Sequence, residues 1–191
     1  MSFRLAVATL AANMPEDQIA RIARVSRGKT PFDDSGDWKL TLKNCYNAKH
    51  LSVFEFANIT YWIECPIFVA RQLMRYRNAR YLERSLRYCA PLNEVDVNTP
   101  FGAANKRALD LYGKLIDCGI SKEEARAVLP LSTATRFVMQ CDLRELFHIF
   151  DERIHPATQT ETQIVVEKMK MEAEKAFPYC VSLYDAKRDE R

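Results

Sequence analysis

Six arginines lie within 17 residues of this chain: Arg71, Arg75, Arg77, Arg80, Arg84 and Arg87. A guanidinium group stays charged in proteins and binds two phosphate oxygens at once, so the segment predicts a phosphate-binding site. Apolar residues flank the segment on both sides, and arginines between core-like residues need partners because burying an unpaired charge is costly. The residues alone are equally consistent with a solvated basic helix face whose arginines form surface ion pairs.

Nucleic acid is a second ligand for such a segment, because Tyr76 and Tyr81 stand among the arginines and could stack on bases. The formal net charge of the chain is only +3, however, and no basic stripe runs outside this segment. We therefore expect a phosphate-bearing small molecule rather than nucleic acid. Three more arginines, Arg126, Arg144 and Arg153, lie at predicted helix or strand junctions, which favours a site assembled from distant parts of the chain.

Several other kinds of site are disfavoured by what the sequence lacks. Ser85 has no histidine nearby and no GxSxG setting, so it is a poor candidate for an activated nucleophile. The six cysteines form no CxxC pair and the three histidines show no zinc-site spacing, so we expect no metal. No GxGxxG or GxxxxGK[ST] motif is present. No apolar run could span a membrane and no signal peptide is visible, so we expect a cytoplasmic protein with free thiols.

The order of residues in the arginine segment resembles the signature of the flavin-dependent thymidylate synthases (ThyX type). That signature is Arg-His-Arg, seven residues and Ser, usually followed by x-Arg-Tyr. Here it stands as RYR at 75–77, then NARYLER, then SLRY at 85–88. Other segments resemble the family in the same order: HLSVFE at 50–55, PIFVARQ at 66–72, EEARAVLP at 123–130, TRF at 135–137, DLRELFHIF at 142–150, and Arg153 followed by Gln159 and Glu161.

This resemblance implies a homotetramer with flavin sites between subunits, and reductive methylation of dUMP to dTMP at C5. It implies FAD as cofactor, with methylenetetrahydrofolate and NADPH as co-substrates. The implied catalytic residue is Arg153, which would sit beside the pyrimidine and favour ionisation at N3. The residues implied to bind the nucleotide are Gln72, Arg75, Glu83, Ser85, Leu86, Arg87, Arg126 and Arg153. Those implied to bind FAD are His50, Ser52, Arg75, Tyr76, Arg77, Glu83, Asp142, Arg144 and His148.

The chain departs from the family pattern mainly around the implied flavin and folate sites. The departures are Tyr76 for the signature histidine, Arg80 for a small residue, Leu82 and Asp142 for asparagines, Phe56 for a histidine, and Thr158 for alanine. The arginines implied to bind phosphate are kept. A paralogue that methylates UMP, or otherwise modifies C5 of a pyrimidine nucleotide in secondary metabolism or in a phage, would show the same pattern. A nucleotide- or nucleic-acid-binding protein without catalysis is a third hypothesis, which retention of Arg153 and Ser85 disfavours.

The order of predicted strands and helices indicates one α+β domain over 1–191, with a central antiparallel sheet flanked by helices. These elements must position the site residues. Alternating or β-branched and aromatic runs predict strands at 3–10, 54–64 and 131–141. Helical spacing and capping residues predict helices at 15–24, 39–48, from 66 onward, 103–117, 121–127, 142–152 and, last, 157–176. Residues 80–91 are predicted to form an irregular loop that presents ligand-binding groups.

Overall fold

The computed structural model describes residues 3–92 and 99–189 as an antiparallel sheet with helices packed around it. The strands are β1 (Ala6–Ala12), β2 (Asn58–Pro66), β3 (Arg80–Glu83) and β4 (Ala134–Asp142). The helices are α1 (Glu16–Val25), α2 (Trp38–Asn47), α3 (Ile67–Leu73), α4 (Pro100–Asp117), α5 (Lys122–Ala125), α6 (Leu143–Arg153), α7 (Thr160–Ala176) and α8 (Pro178–Asp189). Short 3₁₀ helices cover Leu51–Phe56 and Arg126–Val128. The predicted α+β class is confirmed.

The four strands lie in the order β1-β2-β4-β3, and every neighbouring pair is antiparallel. Side chains alternate along β2 and β4 because successive residues of a strand point to opposite faces. One face carries buried pairs across the two central strands, including Tyr61 opposite Met139 and Ile63 opposite Phe137. This face packs on α6 and α7 and forms the core of the protein.

The opposite face of the sheet is more polar and more open. Leu82 on the edge strand β3 is 75% exposed. Glu64 on β2 is an exception on this face, because it is fully buried, and its Oε2 accepts a hydrogen bond of 2.5 Å from Arg136 Nε. Its Oε1 lies 3.0 Å from Arg4 Nε as an ion pair that lacks hydrogen-bond alignment. The buried carboxylate is thus held by cations from two other segments.

Helix α6 shows how local sequence aims functional side chains. Asp142 caps the helix, since its Oδ1 accepts a 2.8 Å hydrogen bond from the backbone N–H of Glu145. The apolar residues at helical spacing are buried, namely Leu143, Leu146, Phe147 and Phe150. Residues at the same spacing on the other side, Arg144, His148 and Asp151, are therefore exposed.

Four of the sequence-based predictions differ most from the structure. The strand predicted from 54 begins only at Asn58, because residues 51–56 form a 3₁₀ helix that buries Phe54. Residues 80–83 form strand β3 rather than loop, because they pair with β4. Pro66 ends β2 and precedes α3 instead of beginning it, and α3 stops at Leu73, so Arg75 lies beyond the helix. Helix α7 is not the last, because α8 follows it.

No helix in the described ranges is long and apolar enough to cross a membrane.

Candidate functional site

A cavity of about 1050 Å³ opens between the 3₁₀ helix Leu51–Phe56, the segment after α3 and the exposed side of α6. Four of the side chains predicted to bind a cofactor line it: Arg77, Asp142, Arg144 and His148. His50 and Ser52 flank Leu51, which also lines the cavity. The aromatic side chains of Tyr46 and Phe147 contribute to the wall. The cavity thus combines cationic and acidic groups with aromatic surface.

Three carboxylates that line this cavity already form contacts within the chain. Arg144 Nη1 donates to Glu55 Oε1 across the cavity. Asn78 Nδ2 donates to Glu145 Oε2 at 3.1 Å. Burial raises the pKa of the Asp142 carboxyl, although its hydrogen bonds from the start of α6 oppose that shift. These contacts fix the orientation of the cavity wall at the start of α6.

The turn after α3 that carries Arg75 and Arg77 is held in place by β3. The hydroxyl of Tyr81 donates to the backbone carbonyls of Leu73 at 2.7 Å and of Tyr76 at 3.0 Å. Pairing of Tyr81 with Met139 of the central strand anchors this contact to the sheet. The strand that the sequence analysis missed therefore positions the arginine segment.

Five of the six arginines in the segment have side chains without a hydrogen bond or ion pair to any described residue: Arg71, Arg75, Arg77, Arg80 and Arg84. Arg87 differs, because its Nη2 lies 2.9 Å from Glu123 Oε2. The hypothesis of a basic face neutralised by surface ion pairs predicted acidic partners for these arginines. Within residues 3–92 and 99–189 the structure provides such a partner to Arg87 alone, so the other charges are available to an anionic ligand.

A second group of predicted residues gathers at the far end of β3. Glu83 accepts a 2.8 Å hydrogen bond from Thr135 Oγ1. Ser85 Oγ accepts from the backbone N–H of Arg87 at 3.2 Å, and Leu86 lies half-buried between them. Arg126 joins the group through Nε, which donates to the carbonyl of Glu123 at 3.1 Å. Glu123 therefore links Arg87 to Arg126, and five predicted nucleotide-binding residues lie in one region: Glu83, Ser85, Leu86, Arg87 and Arg126.

A third group lies where α6 ends. Gln72 Nε2 donates to Gln159 Oε1 at 2.6 Å. The guanidinium of Arg153 lies over the ring of Tyr76, 5.4 Å from its centroid, and the Tyr76 hydroxyl donates to Glu152 at 2.9 Å. The predicted residues Gln72, Tyr76 and Arg153 are thus held by contacts within the chain.

Strand β3 separates the arginines at the cavity from the second group. Arg80 and Glu83 are its ends, and an extended strand rises about 3.3 Å per residue, so roughly 10 Å of chain lies between them. The sequence analysis also missed the acidic partners Glu123 and Glu152. The segments EEAR and DER place each of them near an arginine, but they do not indicate the contacts with Arg87 and Tyr76.

Burial makes two of the thiols poor nucleophiles, and the acidic groups of the described residues form no metal cluster. All six cysteines are free, and burial raises the pKa of Cys65 to about 12. Burial likewise raises the pKa of Cys141. Residues 3–92 and 99–189 contain no group of three or more His, Cys, Asp or Glu side chains that could hold a metal ion.

Comparison with known proteins extends these observations. The sequence matches the family described as thymidylate synthase complementing protein over residues 9–179. It is 35% identical over 162 residues to a flavin-dependent thymidylate synthase of Pseudothermotoga lettingae, covering 75% of this chain and 73% of that protein. It is 31% identical over 189 residues to the flavin-dependent thymidylate synthase of Synechocystis sp., covering 86% of each.

The fold is similar to that of PolB from Streptomyces cacaoi, a UMP/dUMP methylase whose crystal structure contains 5-Br dUMP. The TM-score is 0.87 and the sequences are 25% identical, with 96% of this chain and 95% of that chain covered.

Proposed function

Because this chain belongs to the family of flavin-dependent thymidylate synthases, we propose that it methylates C5 of dUMP to give dTMP. In this reaction C5 loses its proton and gains a methylene carbon from methylenetetrahydrofolate. Completing the methyl group requires a hydride that originates on NADPH, and a bound flavin, which we propose is FAD, would supply the redox chemistry for its delivery.

The observation that carries the proposal is the set of five arginine side chains without partners among the described residues. Like charges on so short a segment repel one another, and an anionic ligand relieves this repulsion. A nucleotide phosphate and the pyrophosphate of FAD are the anions that the proposed reaction brings. Guanidinium groups bind phosphate oxygens in pairs, and several arginines together match the multiple charges and oxygens of a phosphate or pyrophosphate.

The cavity fits the proposed cofactor in size and in chemistry. Its volume of about 1050 Å³ lies just above the usual range for small-molecule and cofactor sites, which suits a large cofactor. Cationic groups suit a pyrophosphate, and the rings of Tyr46 and Phe147 suit planar ring systems. The residues that we propose hold FAD are His50, Ser52, Arg75, Tyr76, Arg77, Glu83, Asp142, Arg144 and His148.

The nucleotide would bind to the second and third groups of residues. We propose that Arg126 and the arginine segment bind its phosphate, and that Gln72 and Arg153 contact the uracil. The residues in this proposed set are Gln72, Arg75, Glu83, Ser85, Leu86, Arg87, Arg126 and Arg153. A fixed cation beside the ring stabilises negative charge that develops there, which is the role we propose for Arg153 at N3.

A homotetramer is part of the same proposal. Roughly 10 Å of strand separates the cavity arginines from the second group, so a site that uses both is more readily completed by a second subunit. The edge position of β3 and the exposure of Leu82 on it support burial of this strand against another copy.

UMP is the alternative substrate, which is supported by the similarity to a UMP/dUMP methylase over nearly the whole chain. The two nucleotides differ only at the 2′ position of the ribose. The reaction proposed at C5 is the same for both.

The proposal is tested by incubating the FAD-loaded protein with dUMP, methylenetetrahydrofolate and NADPH and analysing the nucleotide by mass spectrometry. We expect dTMP, and none when flavin, folate or NADPH is omitted. The matched variant Arg153→Ala should keep its flavin and lose product. Product formed equally well by Arg153→Ala would contradict the role of this arginine, and product formed without flavin would contradict the reaction itself.

A further inference from the structure

Four side chains form a connected cluster at the end of α6. The Tyr76 hydroxyl donates to Glu152 Oε2 at 2.9 Å, and the Tyr76 side chain is only 5% exposed. Arg153 lies over the face of the same ring, and its Nη2 is 4.0 Å from Glu152 Oε2. His148 approaches Tyr76 edge-on, with its Nε2 3.5 Å from Glu152 Oε1. Glu152 therefore contacts all three of the other residues.

The guanidinium of Arg153 depends on this cluster for its orientation. Its side chain is 19% exposed, and among the described residues its Nε is buried without a hydrogen-bond partner. A cation over an aromatic face is attracted by the π electrons, and more strongly when water is excluded. The ring of Tyr76 and the carboxylate of Glu152 are thus the described groups that contact this guanidinium.

The carboxylate and the phenol reinforce each other. A hydroxyl that donates to a carboxylate moves electron density onto its ring, and such networks polarise their members. The ring face then attracts the guanidinium more strongly. Burial, followed by the hydrogen bond to Glu152, raises the pKa of Tyr76 to about 12, so the phenol remains a proton donor at neutral pH.

We propose that Tyr76 and Glu152 are positioning residues, which act through Arg153 by holding its guanidinium in a carboxylate–phenol–guanidinium stack. This inference rests on the proposed function, because it assumes that Arg153 stabilises the ionised uracil. The family signature has histidine at the position of Tyr76. The inference gives Tyr76 a second role beside flavin contact, namely to position Arg153. A histidine at position 76 has no hydroxyl to give this arrangement with Glu152.

The test uses the variants Tyr76→Phe and Glu152→Gln, alone and together, in the FAD-loaded enzyme. Each single variant should lower kcat about tenfold, as expected when a charge-assisted hydrogen bond that orients Arg153 is lost, with KM for dUMP within about twofold of wild type. Flavin content should also stay within about twofold, because Tyr76→Phe keeps the ring that would contact FAD and Glu152 is not in the proposed FAD set. The kcat of the double variant should be no lower than that of the less active single variant, because both changes break the same stack. In an Arg153→Lys background, the two changes should have no further effect.

Tyr184→Phe is the matched control. Its hydroxyl donates to Asp151 on the same helix at 3.1 Å, so the change removes the same kind of tyrosine–carboxylate bond away from Arg153. We expect its kcat to equal that of wild type. Unchanged kcat in Tyr76→Phe and Glu152→Gln, additive losses in the double variant, or losses confined to KM or flavin content would each overturn the inference.

The outcomes separate this inference from the proposed function. If Arg153→Lys loses turnover while Tyr76→Phe and Glu152→Gln stay fully active, only the positioning role is wrong. If Arg153→Lys and Arg153→Ala both keep full turnover, the proposed role of Arg153 is wrong and the inference falls with it.

Discussion

Asp142 offers a prediction that links the stability of α6 to flavin binding. Its Oδ1 accepts the 2.8 Å hydrogen bond that caps the helix, and its carboxylate lines the large cavity beside Arg144. Asp142→Ala removes both the cap and the charge, whereas Asp142→Asn keeps an acceptor oxygen and removes only the charge. The pair of variants therefore separates the two contributions.

The size of each effect follows from these contacts. Loss of an N-cap costs about 1 kcal/mol, which in a chain of this length lowers Tm by roughly 2–4 °C. The Asn variant gives up about 0.3–1 kcal/mol of charge–dipole attraction. Asparagine is neutral, so it does not carry the cost of burying a charge, which raises the pKa of Asp142. This gain opposes the loss of charge–dipole attraction. We therefore expect Asp142→Asn to be close to wild type and Asp142→Ala to be less stable.

The pH dependence of this difference has a defined sign. A raised pKa means that the folded state holds the proton of Asp142 more tightly than the unfolded state does. Its contribution to stability is therefore present at acid pH and is lost as pH rises through the folded-state pKa. Relative to wild type, Asp142→Asn should gain stability between acid and neutral pH.

The assay is urea unfolding of the three proteins at acid and neutral pH, together with flavin titration. Removal of a negative charge from the cavity should make Asp142→Asn bind the anionic cofactor more tightly than wild type. Equal destabilisation by Asn and Ala would show that Asp142 does not act as the cap. Weaker flavin binding by the Asn variant would refute the electrostatic reasoning.

Three further predictions concern other parts of the structure. Arg126→Ala should weaken dUMP binding by about 1.5–3 kcal/mol in a titration, since it removes a charge-assisted phosphate contact; an equal loss of flavin would contradict that role. Arg136→Met should lower the free energy of unfolding in urea by about 3 kcal/mol, because it leaves the buried Glu64 without its closest cation. Adding Glu64→Gln should recover part of this loss, and no recovery would speak against the explanation. Stability should fall as pH rises from about 9 to 12, because folding raises the pKa of Cys65 from 9.0 to about 12 and of Tyr76 from 10.0 to about 12; a flat urea midpoint across this range would be inconsistent with those buried protons.

The sequence predicted most of each central strand because their patterns are strong over many residues, although β2 and β4 begin at Asn58 and Ala134 rather than at 54 and 131. Errors arose where contacts distant in sequence decide the structure. Residues 54–56 are rich in aromatic residues, yet Phe54 is buried from a 3₁₀ helix, and the carbonyl of Ala57 accepts from Leu143 N–H at 2.9 Å. Strand β3 has only four residues and exists through its pairing with β4. The sequence analysis placed no helix after residue 176, although proline is favoured in the first turn of a helix and Pro178 begins α8.

The cations of the candidate site could be predicted from the sequence, but their acidic partners could not. The arginines could be named from the sequence, because their residue type and density already indicate anion binding. Their acidic neighbours could not, because Glu123 lies 36 positions after Arg87 and Glu152 lies 76 positions after Tyr76. Only the folded chain brings these groups within hydrogen-bond distance.

The most direct test of the central claim is tritium release from C5-labelled dUMP in the presence of methylenetetrahydrofolate, FAD and NADPH, with C5-labelled UMP measured in parallel. We predict release from dUMP that requires flavin and folate. Release from UMP alone would make the chain a UMP methylase, and release from neither nucleotide, with flavin still bound, would contradict methylation at C5.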